Sequence, residues 1–144
     1  MTALNLEQVA EKMADIDFAM LSTRALNGNI AVRPMSNNRD VRFDGDSYYF
    51  TSEETHMVQE IRADAKVALA FTGTPGKDGK PPLFVAVEGS AELIREKLAM
   101  KEHWNADIAK WFSEGFATPG IVLIKVSAER VHYWLGEENG EILL

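Results

Sequence analysis

The 144 residues carry 22 acidic against 15 basic side chains, a formal net charge of −7, and are 46% hydrophobic and 26% charged. That balance fits one soluble globular domain over residues 1–144 and argues against a nucleic-acid backbone as partner. The chain has no cysteine, which excludes disulfides, a thiolate nucleophile and a cysteine-based metal site and is in keeping with a reducing, cytoplasmic setting.

Met1 to Leu6 does not read as a secretory signal, and no apolar stretch is long enough to span a bilayer. Asn5 is a good N-cap, with Gln8 in capping-box position. Leu6, Val9, Ala10 and Met13 recur at helical spacing, so residues 5–14 are predicted as a short amphipathic helix. Phe18 to Thr23 reads as a mostly buried strand. Leu26-Asn27-Gly28-Asn29 is a hairpin turn, and Ile30 to Asn37 is the returning strand. Asp44-Gly45-Asp46 signals a second hairpin, joining Val41-Arg42-Phe43 to Ser47-Tyr48-Tyr49-Phe50-Thr51. A helix over about residues 54–63 is ended by Asp64, and Val67 to Phe71 is an apolar strand.

Gly73 to Pro82 holds three glycines and three prolines and is predicted as a mobile loop. Leu83 to Leu93 alternates as a long strand, with Gly89 marking a bulge or bend. Residues 94–114 read as helical in two pieces, the second carrying Ile108, Trp111 and Phe112. Ile121–Val126 and Arg130–Trp134 form a last strand pair, and Glu137, Glu138 and Glu141 a solvated acidic tail. Hairpin-connected strands with few helices predict a mainly β chain, an antiparallel sheet curled towards a barrel, rather than a doubly wound parallel sheet.

Two segments carry the chemistry. Arg33-Pro34-Met35-Ser36 follows the Asn-Gly turn, and Tyr48-Tyr49-Phe50-Thr51-Ser52 ends in two hydroxyls just before a helical pattern. If these strands pair, Arg33 converges with the Thr51-Ser52 corner. Its planar fork of donors, the hydroxyls and the free amides of a helix start then make a phosphate pocket. The neighbouring aromatic and Met side chains would hold a flat ring. Phosphate plus flat ring points to flavin mononucleotide (FMN).

Competing readings stand beside this one. Arg33 is also what a strand-edge arginine paired with an acidic residue looks like. Tyr48, Tyr49 and Phe50 suit sheet packing, and Trp111 and Phe112 suit core or dimer contact, which is compatible with touching a ring. His103 and Asp107 have helical i,i+4 spacing, read as a solvated surface pair rather than a metal site. There is no GxGxxG or P-loop, and no serine sits in a recognisable nucleophile motif.

The chain resembles the pyridoxamine 5′-phosphate oxidase-like FMN-binding split barrels, most closely their general-stress-protein branch. The resemblance covers nearly the whole chain. It rests on Arg33-Pro34-Met35, on Tyr49-Phe50-Thr51-Ser52 leading into Val58-Gln59-Glu60-Ile61, and on Val85 to Ala91. It rests further on His103-Trp104-Asn105, Lys110-Trp111-Phe112 and Glu129 to Trp134.

The resemblance implies a six-stranded antiparallel split barrel, a homodimer with two FMN sites across the subunit interface, and a flavin-dependent oxidoreductase using a small-molecule electron donor or acceptor. A non-catalytic FMN carrier or stress-linked sensor is the alternative, and a cofactor-free dimer a third. By the same resemblance Arg33 matches the arginine that holds the phosphate, and Pro34, Met35 and Ser36 the strand along the ring. Phe50 and Thr51 match the strand end, and Thr55, His56 and Met57 the helix start over the phosphate. Trp111, Phe112 and Trp134 match aromatics near the flavin. One departure stands out: the family's helix-start lysine aligns with Met57. Gly136 to Leu144 has no Arg or His, so oxidation of pyridoxamine phosphate is not the expected activity.

Overall fold

The computed structural model describes residues 3–38 and 41–144. The first helix, α1 (Leu6–Met13), starts as its sequence dictates. Asn5 accepts from the Gln8 amide at 2.8 Å, while the Gln8 side chain accepts from the Asn5 amide at 2.9 Å. Val9, Ala10 and Met13 are its buried face.

Seven strands form one sheet: β1 (Phe18–Arg24), β2 (Ile30–Ser36), β3 (Asp46–Ser52), β4 (Lys66–Thr72), β5 (Leu83–Ile94), β6 (Ile121–Leu135) and β7 (Glu138–Leu143). Six of them run in the order β2-β1-β4-β5-β6-β3, all described neighbours antiparallel, and β7 pairs with β6 beside that path. The sheet curls into a split half-barrel around a core that includes Leu21, Leu69, Phe71, Val85, Val87, Tyr49, Val131 and Tyr133. The helix α2 (His56–Ala63), capped by Thr55, closes one side with Met57, Val58, Glu60 and Ile61 buried. Among the described residues no helix is long and apolar enough to cross a membrane.

Gly89 sits where the β5–β6 register shifts. A Cβ there would meet the Ser127 carbonyl oxygen at 2.1 Å, so only glycine lets the strands approach at this bulge. The loop over 73–82 contains a short 3-10 turn, Lys77–Gly79.

Several expectations are corrected. Val41-Arg42-Phe43 is not a strand, and β3 forms no hairpin with it. The Asp44 carboxylate instead accepts from the Asp46 amide in a local turn, and β3 pairs with β6. β2 and β3 do not pair either: they are the two ends of the six-strand path. The predicted last strand pair is one 15-residue strand, β6, whose free edge is shared by β3 along its first half and β7 along its second. The acidic tail is therefore a strand, and Glu141 pairs with Arg130.

The stretch 94–114 is less helical than its periodicity implies. Only α3 (Lys97–Lys101) and α4 (Ala106–Ala109) form, because Asn105 caps a new start by accepting from the Ile108 amide at 2.9 Å. Trp111 and Phe112 lie just past α4, not on a helix. Asp107 pairs with Lys110, while His103 stacks on Tyr48 with ring centroids 3.7 Å apart.

Candidate functional site

The split between the two end strands opens into a cleft of about 700 Å³. β2 brings Arg33, Pro34, Met35 and Ser36 to it, β3 brings Tyr49, Phe50, Thr51 and Ser52, and the start of α2 brings Thr55, His56 and Met57. Trp111, Phe112 and Ile108 reach it from the segment around α4, and Phe18 from β1. Arg33 and the Thr51-Ser52 corner thus converge without strand pairing, because curling brings the two sheet ends face to face. All the sequence-predicted site residues line this cleft except Trp134.

Trp134 stands elsewhere. It lies opposite Phe84 on the outer sheet surface and stacks on His132 at 4.1 Å between centroids.

Each wall has a local cause. Phe50 alternates outward from the barrel core and packs edge-on against Trp104, 5.2 Å away, in a second cluster with Met100, Ile108 and Leu123. Trp104 also touches Phe112 and Phe116, which fixes the turn after α4. Trp111 remains 66% exposed, touching Phe18 edge-to-face at 6.5 Å. The corner before α2 is tied by hydroxyls: Thr51 Oγ1 donates to Thr55 Oγ1 at 3.3 Å, and Thr55 Oγ1 donates to the Ser52 carbonyl at 3.0 Å.

Arg33 is held by the protein itself. Its Nη2 meets Glu60 Oε1 at 2.9 Å, and its Nη1 donates to Thr23 Oγ1 at 2.7 Å and to the Leu21 carbonyl at 3.3 Å. Thr23 Oγ1 donates onward to the same Glu60 oxygen at 2.7 Å. Both the ion-pair reading and the cleft reading of Arg33 therefore describe this side chain. Sequence reasoning missed Glu60 and Thr23. The available signal was a carboxylate on the buried face of α2, in line with Met57 and Ile61, which demands a cation within the fold.

The residues present fit a flat ring bearing a phosphate. Met35, Phe50, Trp111 and Phe112 offer apolar surface. Ser52 and the first amides of α2 offer donors, while the hydroxyl protons of Thr51 and Thr55 are engaged within the corner. Arg33 is the cleft's one lysine or arginine among the described residues, and Met57, 5% exposed, adds none.

A second cavity of about 430 Å³ lies between α1 and the start of β3, on the other side of Tyr49. Burial pushes the Tyr49 phenol up to about 12, with the Ser47 hydroxyl pulling the other way. It stays a neutral phenol across physiological pH.

A family model described as pyridoxamine 5′-phosphate oxidase like matches residues 5–143. No curated protein matches the chain. Among solved structures, the chain is similar to a Clostridium acetobutylicum protein related to general stress protein 26 of B. subtilis, of the pyridoxinephosphate oxidase family. The TM-score is 0.78 at 18% identity, covering 96% of this chain and 94% of that one. A heme binding protein from Mycobacterium smegmatis gives 0.73 at 13% identity, covering 99% of this chain and 60% of that one. An FAD-binding protein from Mesorhizobium loti gives 0.71 at 18% identity, covering 90% and 94%. At these identities the likeness establishes the fold.

Proposed function

The chain belongs to the pyridoxamine 5′-phosphate oxidase-like family, and from that premise we propose that its cleft binds FMN and that the bound flavin serves an oxidoreductase reaction. One observation carries this reading: a single cleft unites an arginine, three hydroxyls at a helix start and a set of aromatic and Met walls. When bound, the flavin supplies the electron-accepting and electron-donating chemistry. The chain's residues bind and orient it. Met35, Phe50 and Phe112 give the ring dry contact, and Trp111 is placed to cover it from solvent. Ser52, the first α2 amides and Arg33 receive the phosphate, and Thr51 and Thr55 hold that corner in place.

The same reading includes an isologous homodimer. The outer sheet surface exposes Val32 and Met20 on the paired strands β2 and β1 and Phe84 and Trp134 on the paired strands β5 and β6, with the exposed Ala70 of β4 between them. An apolar surface of this extent is what a second copy of the chain would cover. Trp134 then belongs to the interface rather than to the cleft of its own chain.

A non-catalytic FMN carrier or sensor is the second reading. It is favoured by the phosphate end, where Arg33 is already paired and Met57 is apolar, an arrangement suited to an exchangeable flavin.

The visible spectrum of the purified protein, followed by titration with FMN and riboflavin, tests the proposal. A flavin band, or fluorescence quenching that saturates more tightly with FMN than with riboflavin, is the expected result. A Soret band instead, or no response to either flavin, overturns it.

A further inference from the structure

We infer that Glu60 is a specificity-determining residue, which fixes Arg33 in the cleft while offsetting its charge, so that a ligand's phosphate counts for little beyond its hydrogen bonds. This rests on the flavin reading above.

The argument begins with the arginine's donors. A guanidinium has five N–H groups. In this protein Nη1 is engaged twice, by Thr23 and Leu21, and Nη2 once, by Glu60. Among the described residues nothing accepts from Nε. The Nε–H and the second Nη2–H lie along one edge of the planar group, the edge that fits a phosphate or carboxylate in bidentate fashion. Glu60 and Thr23 therefore take the end of the fork and leave its side to the cleft. The Arg33 side chain is 22% exposed and that of Glu60 is 8% exposed, so a ligand can meet the arginine but not the carboxylate.

The charges follow the same division. Glu60 sits 2.9 Å from Nη2 in a largely desolvated place, where charges act on one another more strongly than in water. Glu54 also lines the cleft, and Met57 at the start of α2 brings no charge to it. A dianionic phosphate thus finds well-placed donors but no excess positive charge. An ion pair serving only the fold would leave the ratio of affinities for phosphorylated and unphosphorylated ligands untouched. A pair that compensates the binding arginine sets that ratio.

The test is the ratio of riboflavin to FMN dissociation constants, measured by fluorescence quenching in the whole protein. In Glu60→Gln the amide oxygen still accepts from Arg33 and Thr23, but the negative charge is gone. The ratio is expected to rise about tenfold over wild type, with riboflavin affinity unchanged and the gain shrinking in added salt. Thr23→Val keeps the charge pair and should leave the ratio within about twofold of wild type. An unchanged or lowered ratio in Glu60→Gln, with both flavins still bound, overturns this inference alone. If neither flavin binds wild type, the flavin reading fails and this one falls with it. Should Glu60→Gln not fold, wild type decides: an FMN preference nearly flat with salt is expected, and one that collapses with salt overturns the inference.

Discussion

Arg33 on β2 and Glu60 on α2 meet at 2.9 Å with Thr23 bonded to both, so one side chain at the cleft is also a tie between the sheet and its covering helix. The double role makes substitutions at Arg33 structural as well as functional. Arg33→Ala leaves a buried carboxylate without its cation, an arrangement that costs about 3 kcal/mol. Adding Glu60→Gln should return part of that loss, because a neutral amide is cheaper to leave buried. Urea denaturation of wild type, both single variants and the double variant gives the coupling directly. Additive losses would show that the pair is not coupled in the folded protein.

The outer sheet surface yields a second expectation. Met20 lies between Pro34 and Ala70 across its two neighbouring strands, 40% exposed in the middle of an apolar field. In a two-fold dimer a charge placed there is buried twice. Met20→Glu should convert the particle from twice 16.0 kDa to 16.0 kDa by light scattering at micromolar concentration, while far-UV dichroism is unchanged. Wild type that is already monomeric removes the proposed interface.

What was legible in the sequence was what is local. The Asn5–Gln8 capping box and the Gly89 bulge each depend on a few adjacent residues, and both formed as read. The partner of β3 was not legible, because its hairpin signal at Asp44-Gly45-Asp46 is satisfied by a single turn and the pairing edge is supplied some seventy residues later by β6. Nor was the length of β6, whose polar Ser127 and Glu129 look like a break, although Ser127 pairs with Ser90 and Glu129 is the extra residue of the bulge beside Gly89. The cleft was half legible. Its residue types could be named from two segments, whereas the clamp on Arg33 depends on a helix and a strand that meet only in three dimensions.

His103 gives a pH dependence. Burial against Tyr48 holds its imidazole below the ordinary histidine value, while Glu102 pulls the other way. The unfolded chain therefore binds the proton first, near the ordinary pH of about 6.5. The contribution is fully present above that pH and is lost as pH falls through the lower folded-state value. Glu53 and Glu141, whose carboxyls are lowered by Arg95 and Arg130 respectively, lose their contributions further down the scale. Urea midpoints should fall between about pH 7.5 and about pH 5.5. His103→Phe, which keeps a stacking ring but cannot titrate, should flatten that fall. The same slope in the variant would assign it to other groups.

Met57 brings together the resemblance, the cleft and the clamp. It lines the cleft, is 5% exposed, and lies one helical turn before Glu60 on the buried face of α2. A lysine there has two places for its ammonium. It can extend along its flexible stem towards the phosphate end of the cleft, or it can turn to Glu60 at i,i+3 and relieve Arg33 of its partner. Either outcome adds one positive charge to a cleft where Glu54 and Glu60 now outweigh Arg33. Met57→Lys should therefore tighten FMN about tenfold, leave riboflavin unchanged, and lose the gain as salt rises. The cost is packing: replacing a core thioether with an ammonium stem should lower unfolding stability by about 1–2 kcal/mol in the absence of ligand. Saturating FMN should recover it, since a ligand that binds only the folded state stabilises by mass action. Titration of both flavins and thermal unfolding with and without FMN separate these effects. An FMN dissociation constant that does not change in a folded Met57→Lys protein would show that residue 57 serves the core alone and that the phosphate end gains nothing from a charge placed there.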